Sequence, residues 1–214
     1  MAEGRLEIIA ETAFSHEGDR EYLKQLVQRL LLTDVDIIKF QILAESEHAA
    51  DHPASETVAK MVFPFSFWEE LIEKVHEGGK KVLCLPIDHS ALAWILERNV
   101  ADYVEVHSVN LFRRDFFDSI TEKSGDIDLI LAVSGFQSDD VSYIVEEYQQ
   151  FNFKSVSLMV GFQSFPTAPK DVGLPRLKSY RDHLGLLVGY ADHTSFSQLG
   201  FHMCGAAVAL GARF

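Results

Sequence analysis

Lys39 and Gln41 stand two apart in the run DIIKFQ, residues 36–41. On a strand, residues two apart share one face while the residue between them takes the other. If Phe40 packs outward under helices, a lysine and a glutamine face inward together. A buried lysine is costly without a counter-charge or an anionic ligand. Two arrangements satisfy it: an anion-binding site, or a Lys–Glu pair with Glu11, the acid that ends the apolar run LEIIAE. Other polar residues follow other apolar runs in the same way. They are His16, then Asp88, then Glu105, His107 and Ser108, then Gln163 and Ser164, then Asp192 and His193.

These candidates need elements to position them. Strand-like runs recur at 6–10, 36–41, 81–86, 102–107, 128–133, 154–160 and 186–190. A helix opening at Asp19 places Tyr22, Leu23, Leu26, Val27, Leu30 and Leu31 on one face at i, i+3, i+4 spacing. Ser66 with Glu69 reads as a capping box that opens another helix, which Gly78 and Gly79 close. Further helices are expected around 90–98, after an N-cap at Ser138, and through about 197–210. The polar stretch after the second strand reads as loop.

Flavodoxin-like and Rossmann sheets use about five or six parallel strands, so seven repeats favour a (β/α)8 barrel. The fold class is α/β: an incomplete TIM barrel of seven βα units and the start of an eighth strand at Ala212–Phe214. In such a barrel the active site lies at the carboxyl ends of the strands. The polar residues named above fall there. No linker or composition shift divides residues 1–214, so a single domain is expected.

The bulk balance excludes some partners. The 214 residues carry 19 Lys and Arg against 32 Asp and Glu, a formal net charge of −13. That argues against nucleic acid and against an anionic membrane surface, which need clustered basic residues. A small anionic substrate is compatible if a few cations gather locally. No signal-peptide core is present at the N-terminus, and the longest apolar stretch, LGFHMCGAAVALGA, is too short to span a bilayer. A cytoplasmic location is expected. Cys84 and Cys204 sit in apolar runs and read as buried free thiols.

The segment IAETAFSHEGD resembles the IAE-x-G-x-N-H-x-G opening of the N-acetylneuraminate (sialic acid) synthases and the related spore-coat polysaccharide synthases. In the same order, DIIKFQ is similar to their A-x-x-x-K-F-Q strand and LPID to S-T-P-F-D. SFPTAPKDVGL resembles S-Y-P-T-P-x-x-D-V-x-L, GYADHT resembles G-Y-S-D-H-T, and AAVALGARF is similar to the run into the eighth strand. The resemblance implies a barrel that condenses phosphoenolpyruvate with an open-chain N-acetylated amino sugar and releases phosphate. A divalent metal, manganese or magnesium, would act as Lewis acid on the sugar aldehyde. It makes Glu11 the active-site glutamate and His193 the first metal histidine. Lys39 and Gln41 would meet phosphoenolpyruvate, and Ser108 and Gln163 would contact substrate.

Several positions depart from that pattern. Glu105 stands where the family places a second anion-binding lysine, Leu85 replaces a threonine, and Ala191 a serine. Ser15, Val109, Asn110 and Phe165 also differ. A unit charge about 4 Å from another is worth roughly 4 kcal/mol at an effective dielectric of 20, so its reversal beside an anion site is expected to cost several kcal/mol of affinity. Arg113 or Arg114 would have to compensate. The chain stops before the family's second metal histidine, and the C-terminal antifreeze-like domain on which its homodimer depends is absent. A metal site centred on His193 is therefore expected to be weak or lost. These departures support a rival reading, a catalytically inactive barrel that binds a sugar or a protein partner.

Overall fold

The structure, a computed structural model, describes residues 5–45, 53–120, 125–199 and 201–214. Strands β1 (Ile9–Glu11), β2 (Ile37–Ile42), β3 (Lys81–Pro86), β4 (Tyr103–Val106), β5 (Asp128–Ala132), β6 (Ser155–Gly161) and β7 (Leu187–Ala191) form one sheet. Its seven strands run in sequence order, and every pairing is parallel. Helices α1 (Arg20–Leu31), α2 (Ser55–Lys60), α3 (Phe65–Glu77), α4 (His89–Arg98) and α5 (Arg114–Ser119) belong to the first half. Helices α6 (Ser138–Tyr148), α7 (Pro175–Leu184), α8 (Phe196–Leu199) and α9 (His202–Ala209) follow.

The sheet curls into an incomplete barrel, and the last two residues bond to both of its outer strands. Arg213 N donates to Val188 O at 2.8 Å and Tyr190 N to Phe214 O at 3.1 Å, on the β7 side. On the other side Glu7 N, just ahead of β1, donates to Arg213 O at 2.9 Å. Gly189 makes room for this closure, since a Cβ there would lie 2.8 Å from the Phe214 Cβ and 2.9 Å from the Met159 sulfur.

Alternation along the strands separates two apolar clusters. Outward residues such as Ile38, Phe40, Val82, Cys84, Val104 and Leu158 pack beneath helix residues Leu23, Val27, Trp68, Leu71 and Ile95. Phe40 is fully buried with its ring 5.8 Å from Trp68, a burial worth about 1.5–3 kcal/mol. Inward residues Ile37, Leu83, Tyr103, Ile130, Ala132 and Met159 form a smaller interior cluster.

Local chemistry corrects several sequence expectations. Asp19 caps α1 through Tyr22 N, as its type dictates, although Tyr22 itself is 48% exposed. Ser66 does not open α3: the N-cap is Pro64, with no side-chain cap bond, because the fixed φ of proline already directs the chain into the helix. Gln137, not Ser138, caps α6, in a reciprocal box with Asp140. The stretch read as loop after β2 contains α2, and its residues 46–52 lie outside the described residues. The expected last helix is two short ones, α8 and α9. Cys84 is buried, with its thiol pKa pushed up by burial, whereas Cys204 is only half-buried and donates to Asp192 Oδ2 at 3.3 Å.

Candidate active site at the carboxyl ends of the strands

Strand geometry sends Lys39 inward on the same face as Ile37, with Phe40 outward, as the spacing requires. Its ammonium is 7% exposed as a residue and lies between two carboxylates. Nζ is 3.0 Å from Glu105 Oε1 and 3.1 Å from Glu11 Oε2. Gln41 Nε2 donates to Glu11 Oε1 at 2.5 Å, so Glu11 is held by both residues of the pair on β2. Thr12, buried just past Glu11, donates from N and Oγ1 to Lys39 O and ties the end of β1 to β2.

Glu105 is the residue whose role sequence reasoning missed. Only Glu11 was expected as a counter-charge, and Glu105 figured as an opponent of the lysine. It is instead the deeper partner, 2% exposed on β4, one inward step above Tyr103. The available signal was an acid flanked by Tyr103, Val104 and Val106 on a fully buried strand, which needs a cation as much as Lys39 needs an anion. Neither Arg113 nor Arg114 reaches it, since Arg113 is bound to Asp115 and Arg114 to Asp118.

Two carboxylates thus share one lysine. Burial works against the Lys39 charge, but Glu105 and Glu11 outweigh it and hold its pKa above the usual lysine value. Burial pushes the Glu105 carboxyl up, with Glu11 adding to the push, against the pull of Lys39. The two directions are compatible, because the lysine stays charged while the more buried acid is the one short of compensation. Glu105 Oε2 has no hydrogen-bond partner among the described residues. His107, at the end of β4, has its pKa lowered by burial first and then by the Lys39 charge.

The other predicted residues sit further out. Ser108 opens a 3-10 turn after β4 and is half-buried, its Oγ 3.5 Å from His107 Nδ1. Gln163 is exposed in the loop after β6 and makes no side-chain bond among the described residues. His193 follows β7, with Nδ1 2.7 Å from Phe162 O and its ring 4.3 Å from the Phe165 ring. Charge at His193 is the least of the influences acting on both Glu105 and His107. Asp192 is committed locally, accepting from Thr194 N, Tyr190 Oη and Cys204 Sγ. His16 is buried against Phe63, its Nδ1 accepting from Gly18 N at 3.1 Å, and stands outside the cluster.

A stable divalent site in a protein usually needs three or more ligands. Among the described residues no group of three or more His, Cys, Asp or Glu is arranged to hold one. His193 is thus not part of such a group among the described residues. What the cluster can do is hold a hydrogen-bonding ligand against Glu11 and Gln41, its two members that reach solvent. An anion would be taken at Lys39 only in exchange for one of its carboxylates. No helix among the described residues is long and apolar enough to cross a membrane.

Comparison with known proteins gives consistent matches along the whole length. The profile of the NeuB family matches residues 26–214. The chain is 23% identical over 224 residues to the N,N'-diacetyllegionaminic acid synthase of Legionella pneumophila, covering 96% of this chain and 61% of that protein. The enzyme of the same name from Campylobacter jejuni is 24% identical over 220 residues, covering 96% and 64%. The chain thus spans about three fifths of the length of the curated relatives it matches. Among solved structures, the N-acetylneuraminic acid (sialic acid) synthetase of Leptospira borgpetersenii superposes with a TM-score of 0.82 at 19% identity. That match covers 98% of this chain and 71% of the other, and it speaks for the fold.

Proposed function

The chain belongs to the NeuB family, and from that premise we propose that its strand ends form a sugar-acid-synthase site on a (β/α)8 barrel. The reaction in this reading condenses phosphoenolpyruvate with an N-acetylated amino sugar. The observation that carries it is the buried Lys39 paired at the carboxyl end with Glu11, which Gln41 also binds, the three residues that resemble the family's site. Lys39 supplies the cation for the phosphoenolpyruvate carboxylate or phosphate once Glu105 yields it. Gln41 fixes the Glu11 carboxylate, which accepts from a hydroxyl of the sugar. Ser108 and Gln163 belong to this proposal as contacts made by the loops around the bound substrates, and His193 as a lone donor above them.

A second reading has its own observation. Glu105 occupies Lys39 at 3.0 Å in a buried site, which leaves no unpaired cation for a multiply charged anion. This supports a barrel that binds an amino sugar without condensing it.

One set of measurements separates the two. The first reading expects phosphate release from phosphoenolpyruvate in the presence of N-acetylated amino sugars, lost in Lys39→Ala. Calorimetry should show Glu105→Lys binding phosphoenolpyruvate at least about tenfold tighter, equivalent to about 1.4 kcal/mol. Sugar-binding heat without phosphate release selects the second reading. Neither heat nor release overturns both.

A further inference from the structure

The interior of the barrel has a second polar end. Taken across the sheet, inward positions are polar at the amino ends of some strands, apolar in the middle and polar at the carboxyl ends of others. On β6 Ser157 precedes Met159, on β2 Ile37 precedes Lys39, and on β4 Tyr103 precedes Glu105. The middle layer of Ile37, Leu83, Ile130 and Met159 is buried. It separates the Lys39 cluster from a cavity of about 310 Å³ at the amino ends of the strands.

Among the described residues, the charges lining this cavity are committed, except for one. Glu7 is bound by Lys81 Nζ at 2.5 Å and by Tyr103 Oη at 2.9 Å. Asp128 is bound by Lys154 at 3.0 Å and by Ser155 Oγ at 2.6 Å, and Arg5 by Asp36 at 2.7 Å. Arg213 is half-buried on the cavity wall and its guanidinium makes no ion pair or hydrogen bond among the described residues. Its backbone is fixed from both sides by the bonds to Val188 and Glu7, so the side chain starts from an anchored position. Ser157, on β6 beyond β7 and 3% exposed, lines the same cavity, and its hydroxyl makes no hydrogen bond among the described residues.

We propose that this cavity binds a small monocarboxylate, its carboxylate gripped by Arg213 and Ser157 and its apolar body set against Leu187, Tyr103 and Phe214. The class follows from the charge count and the wall. One unpaired guanidinium matches one negative charge, and its fork suits the two oxygens of a carboxylate. A dianion would meet Glu7 and Asp128 without further cations to offset it. Tyr103 and Phe214 meet edge to face with centroids 5.9 Å apart, which gives an apolar ledge for a planar or branched stem. The volume lies at the low end for small-molecule sites.

Titration of the full chain with benzoate, followed by two-dimensional NMR, tests this. Benzoate should shift the amide signals of Ser157, Tyr103 and Arg213 and leave those of Gln41 and Glu105 unmoved. Arg213→Gln should weaken the titration at least about tenfold, and Ser157→Ala, which disturbs the strand less, by a few-fold, while Lys39→Ala leaves it unchanged. Absence of shifts at millimolar benzoate, or shifts that both cavity variants retain, overturns the site. Inorganic phosphate binding as tightly as benzoate overturns the monocarboxylate class.

Discussion

Lys39 and its two acids show how far a single residue can be read. The alternation Lys39–Phe40–Gln41 placed the lysine inside and the ring outside, and both positions hold. The identity of its buried partner did not follow, because the bond to Glu105 joins residues 66 apart in sequence and depends on how β4 is brought against β2 across β3. The pair makes a prediction about pH. The folded-state pKa of Glu105 lies above its unfolded value, mainly because of burial. A raised carboxyl favours the folded chain below the unfolded pKa, and that contribution is lost as pH rises through the folded one. The parent chain should therefore lose stability across that window, by up to about 1.4 kcal/mol per pH unit from this group. Glu105→Gln keeps an oxygen for Lys39 and has no proton to lose, so its stability relative to the parent should rise with pH there. Urea unfolding of both chains between the acid range and neutrality is the measurement. Parallel curves would show that Glu105 is ionised throughout.

At the scale of elements, capping gives one of the strand-end acids a structural task. Asp88 stood among the residues at the strand ends, and the structure gives it another task. It is fully buried at the N-cap of α4, accepting from Ala91 N at 2.8 Å. Its second oxygen accepts from Ala44 N at 2.7 Å and Glu45 N at 3.0 Å, so it pins the loop after β2 to the start of α4. Asp88→Ala should cost about 2–4 kcal/mol in urea unfolding, a lost cap plus buried donors left unpaired. Ser66→Ala should change stability by less than about 0.5 kcal/mol, because its expected cap is not made. Equal losses for the two variants would contradict this assignment. The strands were legible to within a few residues because each is a short apolar run. The caps were less so, since Pro64 and Gln137 do by backbone restriction and a side-chain amide what the serines beside them were expected to do.

For the whole molecule, seven repeats were enough to read an eight-fold barrel, and membership of the NeuB family agrees with that reading. Periodicity could not show how the first and last strands are joined, because that closure rests on two residues. Arg213 and Phe214 carry backbone bonds to both β7 and the approach to β1. The Phe214 side chain packs over Gly189, where any Cβ would collide with it and with Met159. Edges of a sheet left unpaired invite pairing with other chains. Gly189→Val should displace Phe214, loosen the bonds at Val188, Tyr190 and Glu7, and expose the outer strands. Three backbone bonds near 1 kcal/mol each and a partly buried aromatic ring put the loss at roughly 4.5–6 kcal/mol. Phe214→Ala keeps the backbone bonds and should cost only the ring, roughly 1.5–3 kcal/mol. Thermal melting followed alongside light scattering gives the comparison. The valine variant should melt lower than the alanine variant and scatter more strongly below its transition. If the two melt together without added scattering, the ring is held by the interior cluster alone and the closing backbone bonds contribute little.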